Sequence, residues 1–277
     1  MFRSVSKLGI RNLSRSIFIK NNAKNREDRC DWKFIVLCDL SWLINLVELS
    51  PTIFGTLVKR YKRFLADVEL DDGTVITAHC PNTGRMTTCA EAGYRVVLSD
   101  SDNPKRKYRY TWELVHNGNC WICVNTGRAN EMAFEAVSKG WIPELAGYED
   151  VVREQKFGNS RFDLLLKTGD KLCYVEVKNV TLLAEDGMVA FPDAVTERGR
   201  KHLNELIEVV RARHRAAMLF VIPRADGTGF RAAHEIDPKY AAALKDAVEG
   251  GVEVYAWQAD VSPTDIKLNR PVSVEFV

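Results

Sequence analysis

The chain has 277 residues, 46% of them hydrophobic, with a formal charge of +2. That length suits one large or two modest domains with a real core, and the composition excludes disordered and fibrous classes. The charge is uneven: residues 1–50 hold nine Lys/Arg against five Asp/Glu, and the remainder is slightly acidic. A nucleic-acid surface must therefore come from local clustering.

Residues 1–26 carry Arg3, Lys7, Arg11, Arg15, Lys20, Lys24 and Arg26 and no acid. That is the composition of an organelle transit peptide. The reading preferred is an extension outside the fold, covering residues 1–50. The apolar run 34–49 is interrupted by Asp39 and Glu48 and is too short for a membrane span of about twenty residues. Seven cysteines, an odd number, argue for a reducing compartment, the cytoplasm, over a disulfide scaffold. The one CxxC, Cys120-Trp-Ile-Cys123, lies in an apolar, strand-like run and reads as buried strand cysteines.

Residues 56–70 and 75–79, joined by Asp71-Asp72-Gly73-Thr74, have the pattern of a β-hairpin. Strand-like runs follow at 95–98, 109–114 and 121–124, which predicts a small barrel or sandwich over residues 51–125. From residue 126 the pattern changes. A helix is expected over 130–138, then strands over 151–156, 162–166 and 172–177. A clear amphipathic helix spans 196–213 with Leu203, Leu206, Ile207 and Val210 as its core stripe. An apolar strand at 216–222, a helix at 239–248 and a strand at 252–257 complete an α/β layer sandwich over 126–277.

Glu176-Val177-Lys178 ends an otherwise apolar strand, and period two puts both charges on one face. A turn can bring Asp163, in the preceding strand, beside Glu176. Two facing carboxylates repel unless a cation lies between them, and Mg²⁺ or Mn²⁺ suits that arrangement. Asp163 and Glu176 are thus the candidate metal ligands. Lys178 is placed to orient a water or offset charge on a phosphate. Glu135 on the preceding helix is a candidate further acid. An acid on a helix, an acid on one strand and acid-x-Lys on the next is the layout of the restriction-endonuclease-like superfamily. The alternative is a surface ion pair between Glu176 and Lys178, worth ~0.2–1 kcal/mol. Asp193, Arg198 and His202, at the start of the next helix, read as a phosphate-facing edge of the same cleft, and Lys201 as solvated.

Several runs resemble the sugar fermentation stimulation protein A family. They include Arg60-Tyr-Lys-Arg-Phe-Leu-Ala-Asp67, His79-Cys-Pro-Asn-Thr-Gly84, Ser160-Arg-Phe-Asp163, Tyr174-Val-Glu-Val-Lys-Asn-Val-Thr181 and Phe191-Pro-Asp-Ala-Val-Thr-Glu-Arg-Gly199. The resemblance covers about residues 54–260. It implies an N-terminal OB-like barrel, a C-terminal nuclease-like domain, DNA binding with little sequence preference, and a role in regulating sugar (maltose) metabolism. OB folds hold nucleic acid with basic grooves and stacking rings. Arg60, Lys62 and Arg63, interleaved with Tyr61 and Phe64, and Lys105, Arg106 and Lys107 with Tyr108 are the expected DNA contacts. The expectation is a largely non-specific DNA-binding protein with a metal-dependent deoxyribonuclease site and no membrane partner. A homodimer is left open. The alternatives are a DNA-binding regulator with an inactive nuclease-like domain and, outside nucleic acids, a sugar- or nucleotide-binding protein.

Overall fold

The computed structural model describes residues 47–48 and 52–276. The extension expected over residues 1–50 lies outside them except for Val47–Glu48, which correct it: they pair with Ile266 and Asp265 and so belong to the fold. The N-terminal part is a closed barrel. Its strands are β2 (Thr52–Tyr61), β3 (Leu65–Leu70), β4 (Val75–His79), β5 (Arg95–Asp100) and β6 (Tyr110–His116), with β7 (Trp121–Cys123) added on β6. Sheet order β4-β3-β2-β5-β6 is closed by a parallel contact between His79 of β4 and Thr111 of β6. Alternation explains the interior: Leu57, Val68, Val96, Leu98, Trp112 and Val115 are buried together. The Asp71–Thr74 turn joins β3 to β4 as expected, with Asp72 accepting the Thr74 N–H at 2.9 Å. Of the two CxxC cysteines, Cys123 ends β7 and is buried, and burial pushes its thiol up to about 12; the buried-strand reading holds for it. Cys120 precedes the strand and is only half-buried.

The second part is built on a seven-stranded mixed sheet. It runs β1 (Val47–Glu48), β16 (Asp265–Pro271), β15 (Glu253–Val261), β13 (Arg215–Ile222), β10 (Lys171–Asn179), β9 (Ser160–Thr168) and β8 (Asp150–Phe157). Helix α1 (Thr126–Ser138) covers one face, packing Met132, Ala133 and Ala136 on Val175, Val177 and Leu219. Helices α2 (Glu197–Arg211) and α3 (Pro238–Glu249) cover the other, with Leu203, Leu206 and Leu244 on Phe162, Met218 and Phe220. A small sheet of β11 (Leu182–Leu183), β12 (Val189–Phe191), β14 (Phe230–Ala232) and β17 (Val274–Glu275) lies beside it. Helix α1 begins four residues before its expected start, because Asn125 caps it and accepts from Gly127 N–H. Thr196 and Asp237 cap α2 and α3 in the same way. Among the described residues no helix is long and apolar enough to cross a membrane.

Buried polar contacts join the barrel to the α/β part. Glu113 on β6, 2% exposed, accepts from Arg128 of α1, from Asn125 and from Ser99. Arg224, fully buried, grips Asp226 and donates to Thr88 Oγ1 and the Thr181 carbonyl. Met86 N–H donates to Asp193 Oδ2 at 3.1 Å. Gly84 packs so close to the Asp193 carboxylate that a Cβ there would lie 2.2 Å from Oδ2. These ties fix one wall of a cleft against the other.

Candidate functional site

Glu176 and Lys178 share a face of β10, as period two requires, and their side chains meet in an ion pair. The same Glu176 oxygen hydrogen-bonds Nδ1 of His202, which rises from α2. All three are sheltered: the side chains of Glu176, His202 and Lys178 are 3%, 7% and 16% exposed. Burial pushes the Glu176 carboxyl up, but His202 and Lys178 outweigh it and hold it below the usual range. The other oxygen, Oε2, is buried and has no partner.

The antiparallel pairing of β9 with β10 stops at Leu164↔Val175. One step further on, Asp163 takes the Val177 N–H with Oδ2 at 2.8 Å, in place of a strand–strand bond. Its Oδ1 accepts from the Asn130 amide of α1, also at 2.8 Å. Burial, and then the neighbouring Glu176, raise the Asp163 carboxyl. Asp163, Glu176, Lys178 and His202 therefore do come together. Glu135 does not join them: it pairs with Lys139 at 2.7 Å on the helix surface. Asn130 reaches the cluster instead, since five residues along an α-helix turn a side chain well away from the first. The sequence pattern puts His202 on an open phosphate-facing edge. It is buried, and Arg198 next to it donates from Nε at a long 3.5 Å. Among the described residues no three His, Cys, Asp or Glu side chains converge as a metal-ligand group. The carboxylate donors at this point are two.

The cluster adjoins a cleft of about 540 Å³ between the two parts of the molecule. Arg63, Asn82, Thr83 and Gly84 line it from the barrel; Thr126, Gly127, Asn130, Lys178, Asn179, Asp193 and Arg198 line it from the α/β side. Arg63, Lys178, Arg198 and the N-termini of α1 and α2 border this recess, with the Asp193 carboxylate beside them and Lys178 already paired to Glu176. Asp193 does not reach for phosphate: it is engaged with Met86 N–H.

The expected barrel contacts divide. Lys62 and Arg63 are exposed on the β2–β3 turn, with φ of +50° and +65°. Such left-handed backbone is uncommon for non-glycine residues and lets the turn close tightly. Arg60 is a correction. Its guanidinium donates to the carbonyls of Arg63, Asn82, Gly84 and Arg85 and holds the loop that walls the cleft. With both terminal nitrogens so used it serves the fold, and Arg63 three residues on carries the open charge. Tyr61 is also engaged, donating to Asp67 at 3.0 Å. Lys105, Arg106 and Lys107 are exposed between β5 and β6, Lys107 lies 5.5 Å from the half-buried Tyr108 ring, and Arg106 donates to Thr111. Leu65 pairs with His79 and His79 with Thr111, so the strand residues next to the 62–64 turn and the 105–108 loop share one ladder row across the barrel seam. The 81–84 segment reads in the sequence as a structured turn with Thr83 as a ligand contact, and Thr83 does line the cleft. Asn130 and Asn179 are parts of the site that the sequence does not signal: neither carries charge, and the one cue is the place of Asn179 inside a run quoted above.

The fold and the cleft define a two-domain protein of OB barrel plus α/β domain. Residues 58–124 match the SfsA N-terminal OB domain, and residues 127–265 match the sugar fermentation stimulation protein RE domain. Sugar fermentation stimulation protein homologs of Citrifermentans bemidjiense and Shewanella loihica are each 52% identical to this chain. The alignments span 226 and 235 residues, covering 81% and 83% of this chain and 97% and 100% of theirs. A Pyrococcus furiosus SfsA, solved in complex with Ca²⁺, superposes with a TM-score of 0.76 at 27% identity, covering 84% of this chain and 99% of that one. The chain belongs to the sugar fermentation stimulation protein family.

Proposed function

We propose that this protein binds DNA with little sequence preference and hydrolyses phosphodiester bonds at a divalent-metal site of restriction-endonuclease-like layout. The observation that carries the proposal is the pair Asp163 and Glu176. Asp163 sits one step past the end of a strand pairing, and Glu176 keeps one buried oxygen without a partner. A buried carboxylate oxygen left unpaired is costly, and a hard cation with oxygen ligands relieves it. The relative solved with Ca²⁺ supports a divalent cation in this fold. Mg²⁺ or Mn²⁺ would be held by Asp163 and Glu176, and would supply positive charge to the phosphate oxygens. The chain's own groups do the rest. His202 holds the Glu176 carboxylate in place, and Asn130 with the Val177 N–H fixes Asp163. Lys178, on the cleft wall, neutralises charge on the phosphate and orients the attacking water. Through DNA binding we place the protein in the regulation of sugar metabolism, in keeping with the family's name.

One observation favours a second reading, a DNA-binding regulator with a silent nuclease-like domain. Glu176 already meets both Lys178 and His202, so its charge is offset by the protein alone. Plasmid cleavage in Mg²⁺ or Mn²⁺, wild type against Glu176→Ala, separates the two. We expect cleavage to fall by at least ~100-fold in the variant, since the substitution removes a group that stabilises transition-state charge. Retained Mn²⁺ binding without any wild-type cleavage gives the second reading.

A further inference from the structure

The Asn179 side chain lines the cleft, and both its amide nitrogen and its amide oxygen are buried with no partner in the protein. Native interiors leave few such atoms, so the two on this side chain take a partner that the protein itself does not supply, a water or a ligand group. An amide offers a donor and an acceptor side by side, the complement of a base edge. The cleft also has what a nucleotide needs elsewhere. Arg63, Lys178 and Arg198 stand around it for phosphate, and Phe191 with Pro192 gives it an apolar wall. Phe191 is braced from behind by Phe220 and Tyr240, at centroid distances of 5.8 and 5.2 Å. A volume of about 540 Å³ is that of a pocket for a small molecule and lies within the usual range for such sites.

We propose that the cleft takes an unpaired nucleotide of a DNA strand, its base edge read by the Asn179 amide and its phosphates held by Arg63 and Arg198. The inference rests on the proposed nucleic-acid function and names the form of DNA admitted. A base inside a duplex is stacked and paired, so its edge cannot enter a walled recess; the strand must be single or the nucleotide extruded. Phe64, 44% exposed beside Arg63 on the barrel turn, is positioned for a neighbouring base to stack on.

The test is binding in EDTA, which stops metal-dependent cleavage. Fluorescein-labelled single strands of ~15 nucleotides, as oligo-dA, oligo-dC and oligo-dT, are compared with a duplex of equal length by anisotropy. We expect the single strands to bind at least ~5-fold tighter than the duplex at equal salt, with a spread of ~5-fold among the three bases. Asn179→Ala should erase that spread and leave the salt slope unchanged. Asn179→Asp, of the same shape but without the donor, should reorder it. Arg63→Ala should lower the slope by ~0.7 for a single strand. Equal or tighter duplex binding overturns the inference, and so does a base spread that survives in Asn179→Ala. Those results would leave DNA binding itself standing. Failure of every probe to bind would instead sink the nucleic-acid function on which the inference depends.

Discussion

Replacing Asp163 by Asn sets the metal site against a purely structural role. The carboxyl accepts two hydrogen bonds, from Asn130 and from Val177 N–H, both 2.8 Å. Asn keeps one acceptor of the same shape, so one bond survives and the other must rearrange, at about 1 kcal/mol. Against that loss stands the charge. Burial and Glu176 raise the Asp163 carboxyl in the folded protein. A carboxyl whose pKa rises on folding holds its proton more tightly in the native state, so at neutral pH its ionisation opposes folding. Removing the charge relieves this, and metal-free Asp163→Asn should be at least as stable as the metal-free wild type. The metal acts in the other direction. A ligand of the native state at a hundredfold excess over Kd adds about 2.7 kcal/mol, or ~5–10 °C in Tm for a protein of this size. The variant, with one ligating carboxylate, should gain far less. Differential scanning fluorimetry across a Mn²⁺ titration measures both halves. Identical responses of wild type and variant to saturating Mn²⁺ would refute the site.

Two further outcomes follow from the geometry. Replacing Lys105, Arg106 and Lys107 together by Ala should weaken DNA binding about equally for all sequences and flatten the salt dependence by ~0.7–0.9 in slope for each phosphate no longer neutralised. An unchanged slope removes the loop from the DNA surface. In the bridge between barrel and α/β domain, burial raises the Asp226 carboxyl, but Arg224 and Asn117 outweigh it and bring it down to about 2. A lowered folded pKa gives stability that is present above pH ~4 and is lost as pH falls towards ~2, worth about 2 kcal/mol. Asp226→Asn should lack that acid-sensitive increment in urea midpoints measured at pH 7 and pH 3. Parallel losses in both proteins would exclude the linkage.

How far the sequence reveals this molecule depends on the range of the interaction involved. The strands β8, β9 and β10 and the helices α2 and α3 are legible because each carries a period that burial enforces locally. The two- and three-residue strands β11, β12, β14 and β17 are not, because so few residues establish no period. Periodicity puts the core stripe of α2 at Leu203, Leu206, Ile207 and Val210; the buried set is Gly199, His202, Leu203, Leu206 and Val209. The stripe is rotated toward His202, which can enter the interior because Glu176 meets it there. Hydrophobicity alone gives a histidine no such partner. Glu135 fails for a related reason: the pattern offers an acid on the right helix, while packing chooses Asn130, which faces Asp163.

The cleft is the least local feature, and it is where the inference from sequence stops. Its barrel wall is tied to its α/β wall by Met86 and Asp193, 107 residues apart. Arg224 reaches Thr88 across 136 residues. None of these residues advertises the other. Their effect is nonetheless to join the two walls of the proposed site. The Glu113–Arg128 pair is buried, with Glu113 accepting from Ser99 and Asn125 as well, and breaking such a pair leaves an uncompensated charge at a cost of about 3–5 kcal/mol. Opening the cleft by separating the two parts would expose or strand that carboxylate. The same contacts therefore join the two walls of the recess, and Arg63 and Arg198 stand exposed at its edge. If the proposed strand enters, walls already joined leave mainly the strand's own ordering to offset, the condition under which an uncharged side chain such as Asn179 would set a preference among bases.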